Sequence, residues 1–354
     1  MSDPTTTRHP GLRLAGVVGV AISLFFLWWT LKDVAFAEVI TQMREVRVLP
    51  FLGMIALATL TFPIRTIRWR YLLRADGEVL PFIPLWHATA VGFMLNNLMP
   101  ARPGELARPF IAQRLTKARF TSALASIGVE RLMDSLVLVA LLVVATWAGG
   151  FAADTTVAGF TVSGLAWFVG IVAVVALAFS IVLVNWPAPA KRIADATARA
   201  VLPDRWAARA VSIIDGLLGG LDSLRSAHRF TNVLLWSVIL WLVNAYSFYV
   251  GFAAFGIEAS WSAALMLQSV IAFGVALPSA PGFFGVFEFF TKSALALYAI
   301  DATHAVAYAL GYHLGTFLPI TLLGIWSLLK IQVGLREMID GNRDTKGATH
   351  ASPE

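Results

Sequence analysis

Eight apolar blocks of membrane-spanning length divide this chain, at about 14–31, 48–64, 81–99, 122–149, 160–186, 232–256, 261–278 and 304–329. A shorter apolar piece follows at about 283–300. A helix needs roughly 20 apolar residues to cross a hydrocarbon core about 30 Å thick, and these blocks meet that requirement. The expected class is therefore an all-α, polytopic integral membrane protein. Composition agrees: 58% of the residues are hydrophobic and 14% charged, with a mean hydropathy of +0.74. Soluble domains stand near 45–50% apolar and about 25% charged. No stretch reads as a separate soluble domain. The absence of cysteine excludes disulfides, thiolate nucleophiles and cysteine-based metal sites.

Arg8 and Arg13 precede the first block, and Ala35-Phe36-Ala37 follows it, the outline of a signal peptide. The apolar run from Leu14 to Leu31 is longer than a signal core, and Lys32-Asp33 intervene, so a retained first helix is expected.

Basic residues set the orientation. Arg65, Arg68, Arg70 and Arg74 follow the second block, Arg102, Arg108, Arg114, Lys117 and Arg119 follow the third, and seven basic residues lie between Lys191 and Arg229. Connections 150–159, 257–260 and 301–303 carry none. The positive-inside rule puts the basic segments in the cytoplasm and both termini with them, in a cell (inner) membrane. Block 81–99 then has cytoplasm at both ends, and 261–300 has the outside at both ends. Each is expected to enter and return, giving about six full spans plus two re-entrant helical hairpins.

The hairpin turns share a motif. Pro100-Ala101-Arg102-Pro103-Gly104-Glu105 ends one apolar block, and Pro278-Ser279-Ala280-Pro281-Gly282 ends the other, with an acid at Glu288. Proline breaks a helix, and irregular backbone at membrane depth survives only inside protein or against a wet cavity. Interrupted segments in corresponding halves point to a transporter's midplane site. Alternatively, the prolines end ordinary spans at the interface. The expected organisation is a single membrane domain over 1–339, with inverted-repeat halves at about 48–150 and 231–333. A cytoplasmic amphipathic segment at 187–230 joins them, and 340–354 is a disordered tail.

Polar residues cluster beside the first turn. Asn96 and Asn97 precede Pro100, and Glu105 and Arg108 follow, three apart and so on one helical face. In the fourth block, Glu130, Arg131 and Asp134 sit just inside an apolar run. Charges within a span are costly unless they face protein or water, which makes them functional candidates. Arg102 or Arg108 would partner the acids, and Arg131 an anionic ligand; an interfacial cluster locking the hairpin to the fourth helix is the alternative. Glu288 and Lys292 are spaced for a local ion pair, and Arg68-Trp69 for an interfacial anchor. No metal-ligand spacing, hydrolase triad or nucleotide fingerprint is present, so neither metal nor cofactor is expected. The basic segments are juxtamembrane and suit anionic lipid head groups, not nucleic acid.

Asn97-x-x-Pro100-x-Arg102-x-Gly104-Glu105-x-x-Arg108, followed by Glu130-Arg131-x-x-Asp134, resembles the lysylphosphatidylglycerol synthase transmembrane (flippase-like) family. Pro278-x-x-Pro281-Gly282-x-x-Gly285-Val286-x-Glu288 is similar to its second motif, and Arg68-Trp69 to its Arg-Trp pair. One departure is His313, where the family's last span often carries arginine. The resemblance implies a transporter that moves a phospholipid or lipid-linked head group between leaflets, without the soluble aminoacyl-transfer domain of the synthases. Asn96, Asn97, Arg102, Glu105, Arg108, Glu130, Arg131, Asp134 and Glu288 would line its site. A homo-oligomer is compatible with this. A transferase acting on a lipid phosphate, or a scaffold of an envelope-lipid pathway, are the alternatives.

Overall fold

A computed structural model describes residues 10–331 except 33, 76–77, 101, most of 152–186 and most of 202–226. Most of the fifth apolar block, the second part of the amphipathic connection and the tail 340–354 thus lie outside the described residues. The rest is helical apart from two antiparallel ladders of two-residue strands, β1 (Arg74–Ala75) with β2 (Glu78–Val79) and β3 (Thr156–Val157) with β4 (Phe160–Thr161). In order, the helices are α1 (Pro10–Leu31), α2 (Phe36–Arg44), α3 (Val48–Leu72), α4 (Phe82–Leu98), α5 (Gly104–Leu115) and α6 (Phe120–Ala148). They continue with α7 (Pro187–Val201), α8 (Ala227–Ala254), α9 (Trp261–Gly274), α10 (Val286–Ala296) and α11 (Ala302–Ile331).

Among the described residues, α3, the His228–Ala254 part of α8, and α11 are each long and apolar enough to cross a membrane. Val18–Leu31 with Phe36–Arg44, bent by 86°, would add a fourth as one broken span. Large apolar side chains point outward along these helices and along α6; Leu24, Trp147, Leu322 and Leu329 are 60–84% exposed. Such a surface suits lipid, not water. The protein is a multi-pass membrane protein.

The third and seventh apolar blocks form shorter helices. Helix α4 has 17 residues and α9 has 14, about 26 Å and 21 Å of helix at 1.5 Å per residue, short of a ~30 Å core. Each is turned back by its proline motif into a second short helix, α5 or α10. Two four-helix sets result, each long–short–short–long: α3, α4, α5, α6 and α8, α9, α10, α11. They interlock in a regular way, α3 against α8, α4 against α11 and α9 against α6. Helix α3 continues through Pro63, and near it Thr61 Oγ1 donates to Ala58 O at 2.6 Å and Thr66 Oγ1 to Phe62 O at 3.0 Å.

The first helix is part of this packing. A Cβ on Gly285 would lie 2.2 Å from Ser23 O, and Ser23 Oγ accepts from Ala280 N at 2.7 Å. Gly285 also has φ +85°, open only to glycine. Helix α1 therefore clasps the second proline turn. Lys292 donates to Thr30 O at 2.9 Å, also on α1, so it does not form the pair with Glu288 that their spacing suggests.

Asp301 caps α11, its Oδ1 accepting from Thr303 N at 2.9 Å and His304 N at 3.0 Å, while Oδ2 pairs with His304 Nδ1. Burial pushes this carboxyl up, but the bonds from His304 outweigh it, so its pKa lies below the ordinary aspartate value. A lowered folded pKa gives stability that is complete above the unfolded value and fades as pH falls through the folded one. Asp301→Ala should cost about 0.5–2 kcal/mol. Asp301→Asn should keep most of the cap, and its deficit relative to wild type should stand in full above about pH 5 and shrink progressively as pH falls below about 4. Melting of the detergent-purified proteins between pH 3 and 7 checks both.

Candidate functional site

The C-terminal half of α3 and the middle of α6 bring charge into the interior. On α3, Arg65, Arg68 and Trp69 share one face, and all are buried, Arg68 and Trp69 at 0% exposure. On α6, Glu130 and Asp134 stand one turn apart and are also buried. Arg68 bridges the two acids. Its Nη2 lies 3.1 Å from Glu130 Oε1 and 3.2 Å from Asp134 Oδ2, and its Nη1 pairs with Asp134 Oδ1. Helix α8 completes the shell: Ser237 Oγ accepts from Arg68 Nη1 at 3.0 Å, and Trp241 Nε1 donates to Asp134 Oδ1 at 2.9 Å. Arg108, from α5, reaches Glu130 with both nitrogens at 3.1 and 3.0 Å, its guanidinium carbon 3.9 Å from the centre of the Trp69 ring. Arg68 and Arg108 thus offset the charge of the two acids, and the half-exposed Arg131 lies at the edge of the network, 3.4 Å from Glu130 Oε1 and 3.9 Å from Asp134 Oδ2. Arg68-Trp69 is not the exposed interfacial anchor its position at the end of an apolar block suggests.

In front of this network lies a cavity of about 300 Å³ between the two proline turns. Of the residues singled out from sequence, Asn96, Asn97, Arg102, Glu105, Arg108, Arg131 and Asp134 line it. Glu130 stands behind it. Asn96 Oδ1 accepts from Gly104 N at 2.9 Å, tying the start of α5 to α4, and Asn97 Nδ2 donates to Thr321 Oγ1 of α11 at 3.1 Å. Pro100 and Pro103 flank the first turn and Pro278 and Pro281 the second. The turns meet at Arg102 and Phe283, where the guanidinium carbon sits 5.1 Å from the ring centre. Both residues hold positive φ, 51° and 63°, a left-handed backbone that non-glycine residues adopt at a cost. Gly282, at φ 70°, shares that conformation without the penalty.

Glu288 is elsewhere. It is fully buried, its Oε2 accepting from Gly285 N at 2.6 Å and its Oε1 2.6 Å from His313 Nδ1. It caps α10 and orients His313, and lines neither large cavity.

Arg65, Trp241 and Phe283 also line the cavity. Arg65 is 8% exposed, with Phe93 and Trp241 ring centres 5.1 and 5.5 Å from its guanidinium carbon. Among the described residues it makes no ion pair and donates no hydrogen bond. Arg102 Nη2 is likewise buried without a partner. Around the cavity, Arg65, Arg68, Arg102, Arg108 and Arg131 stand against Glu105, Glu130 and Asp134, an excess of positive charge. Helical spacing from Arg68 was the available signal for Arg65; nothing local marks Trp241 or Phe283. No group of three His, Asp or Glu among the described residues has a geometry for a metal ion.

Chemically, the cavity can hold an anion: two guanidiniums with unspent donors face a space walled in part by aromatic rings, and charge-assisted hydrogen bonds from guanidinium to an anion are strong.

Comparison with known proteins places the chain. Residues 16–324 match the family model described as the lysylphosphatidylglycerol synthase transmembrane region. The chain is also similar to glycosyltransferase AglD of Haloferax volcanii, 24% identical over 376 aligned positions that cover 98% of this chain and 58% of that protein. It therefore spans somewhat more than half the length of that relative. The family match runs from α1 into α11 and takes in every residue of the arginine cavity, and the chain belongs to the lysylphosphatidylglycerol synthase transmembrane-region family.

Proposed function

We propose that this protein moves a phosphate-bearing lipid head group between the leaflets of the membrane. One observation carries this: Arg65, a buried and unpaired guanidinium, faces a cavity between two proline-turned helix pairs, and the charge around that cavity is net positive. A buried cation without a counter-ion is costly, and a lipid phosphate supplies the missing anion. In this proposal α4–α5 is a re-entrant hairpin from the cytoplasm and α9–α10 its inverted counterpart from outside. The interlocking of α3 with α8, α4 with α11 and α9 with α6 supports two halves that rock about a shared site. Asn96, Asn97, Arg102, Glu105 and Arg131 would contact the head group, with Arg108, Glu130 and Asp134 as the rigid wall behind. Glu288 would instead brace the second hairpin through His313.

In liposomes with head-group-labelled lipids, the protein should accelerate leaflet exchange of anionic phospholipid. Arg65→Gln should lower the rate about tenfold or more, the effect of losing a charge-assisted bond. Exchange no faster than in protein-free vesicles, across anionic and zwitterionic lipids, would remove the proposal. A second reading, a transferase acting on a lipid phosphate, is supported by the glycosyltransferase name of the archaeal relative. Turnover of a lipid-phosphate sugar donor without exchange would select it.

A further inference from the structure

A second cavity, of about 230 Å³, adjoins the first and shares Arg65, Phe93, Asn97, Trp241 and Phe283 with it. Arg65 therefore stands at the junction, able to hold one phosphate whose substituent extends into the second chamber. The chemistry of that chamber restricts the substituent.

No carboxylate is among the residues lining it; the ionisable ones are Arg65, Tyr312 and His313. Glu288 lies behind His313 and is occupied by His313 Nδ1 and Gly285 N, both at 2.6 Å. A cationic head group would meet a guanidinium and no counter-charge. An acyl chain fits no better, because the chamber contains buried polar atoms. Gln268, on α9, is 1% exposed, and its Oε1 accepts from Asn244 Nδ2 of α8 at 3.3 Å. Its Nε2 has no hydrogen-bond partner. Leaving such a donor against hydrocarbon keeps its desolvation cost unrelieved; a hydroxyl relieves it. Part of the apolar wall is a stack of near-parallel rings: Phe248 and Tyr312 at 4.2 Å and 12°, with Phe287 at 6.0 Å and 14° to Tyr312. Aromatic rings beside amide donors suit the C–H face and hydroxyl rim of a polyol ring.

We propose that the second chamber is a subsite for a neutral, hydroxyl-rich group, a sugar or cyclic polyol esterified to the lipid phosphate at Arg65, a proposal that rests on the arginine cavity holding a lipid phosphate. Gln268 and Asn244 bind hydroxyls, the stacked aromatic rings of the wall pack against the polyol ring, and aminoacylated head groups are disfavoured by charge.

The test measures binding, not transport, on the full chain in detergent with short-chain phosphatidylinositol, phosphatidic acid and lysylphosphatidylglycerol. Phosphatidylinositol should bind about 5- to 10-fold more tightly than phosphatidic acid, as one or two neutral hydrogen bonds would give. Lysylphosphatidylglycerol should bind more weakly than phosphatidylinositol. Gln268→Leu should reduce phosphatidylinositol to the affinity of phosphatidic acid, and Arg65→Gln should weaken both about tenfold or more. Gln268→Glu adds a carboxylate and should shift preference toward the lysyl lipid. Inositol 1-phosphate should show the same dependence on Gln268 at lower affinity; affinity equal to the lipid's would overturn the lipid source. Equal wild-type affinities for phosphatidylinositol and phosphatidic acid, or a preference for the lysyl lipid, would overturn the subsite, and neither needs a variant to fold. If all phosphate lipids bind regardless of Arg65, the underlying phosphate site fails instead, so the two failures are distinguishable.

Discussion

Glu130→Ala should destabilise the protein by about 3–5 kcal/mol, the cost of breaking a buried ion pair from one side. Glu130 is completely buried and accepts from both nitrogens of Arg108, at 3.1 and 3.0 Å, with Arg68 Nη2 3.1 Å away. The pair itself need add little, because desolvating three charges offsets most of their attraction. Removing the acid is different. It leaves two guanidiniums whose side chains are 0% and 4% exposed with Asp134 as a partner for Arg68 and, among the described residues, none for Arg108. Water cannot easily reach them, and arginine does not shed its proton. Glu130→Gln should be milder but of the same sign. Adding Arg108→Met to Glu130→Gln should recover part of the loss, because the second change removes the charge that the first leaves unpaired. A double-mutant cycle read by thermal melting in detergent gives the coupling. Purely additive losses would mean that the network is not held by charge.

The same geometry explains why Arg108 is a poor candidate for direct ligand contact although it lines the cavity. Its donors are directed at Glu130, and its guanidinium face lies on Trp69 at 3.9 Å. Arg65 and Arg102 keep donors to offer. The wall of Arg68, Arg108, Glu130 and Asp134 holds α3, α5 and α6 in one geometry, and the cavity-facing Arg65 and Arg102 are set on that frame.

Much of this was legible in the chain. The proline motifs end apolar blocks, so the breaks after Leu98 and Gly274 follow from the missing amide donor and the restricted residue before it. Glu130, Arg131 and Asp134 stand out because charge inside an apolar run demands a partner. The partner was harder to read. Arg65 and Arg68 lie at the end of an apolar block in a run with Arg70 and Arg74, and counting basic residues treats all four alike. Only the packing of α3 on α8 separates the two that turn inward. The orientation expected from charge does not hang on the buried pair, since Arg70 and Arg74, like Arg114, Lys117 and Arg119 further on, remain basic. Glu288 illustrates a different limit. Its spacing to Lys292 fits a helical pair, but tertiary contacts supply each with a better partner, His313 for one and Thr30 O for the other. Trp241, Phe283 and Gln268 carry no local signal, because an aromatic or amide within an apolar helix looks the same whether it faces lipid, core or cavity.

Gly104→Ala should damage the first hairpin more than any other single methyl group there. A Cβ on Gly104 would lie 1.8 Å from Gly92 O and 2.6 Å from Asn96 Oδ1. The nearer obstacle is backbone within α4, so no rotamer change relieves it, and the two helices must part by more than an ångström. Overpacking of this kind costs about 1–3 kcal/mol where side chains can yield, and the upper end or beyond is expected here. Parting the helices also breaks the Gly104 N–Asn96 Oδ1 bond of 2.9 Å. Arg102 lies two residues before Gly104, and Glu105 and Arg108 lie in the first turns of α5 after it, so three cavity side chains move with it. Leaflet exchange in liposomes should therefore fall further than the loss in melting temperature alone explains. Gly53→Ala is the control: on α3, its added Cβ meets Val250 Cγ1 at 3.5 Å, an ordinary contact, and should leave both measurements near wild type. A Gly104→Ala protein that melts and exchanges lipid like wild type would show that α4 and α5 can separate without displacing the arginines, and their close approach would then not be what positions the site.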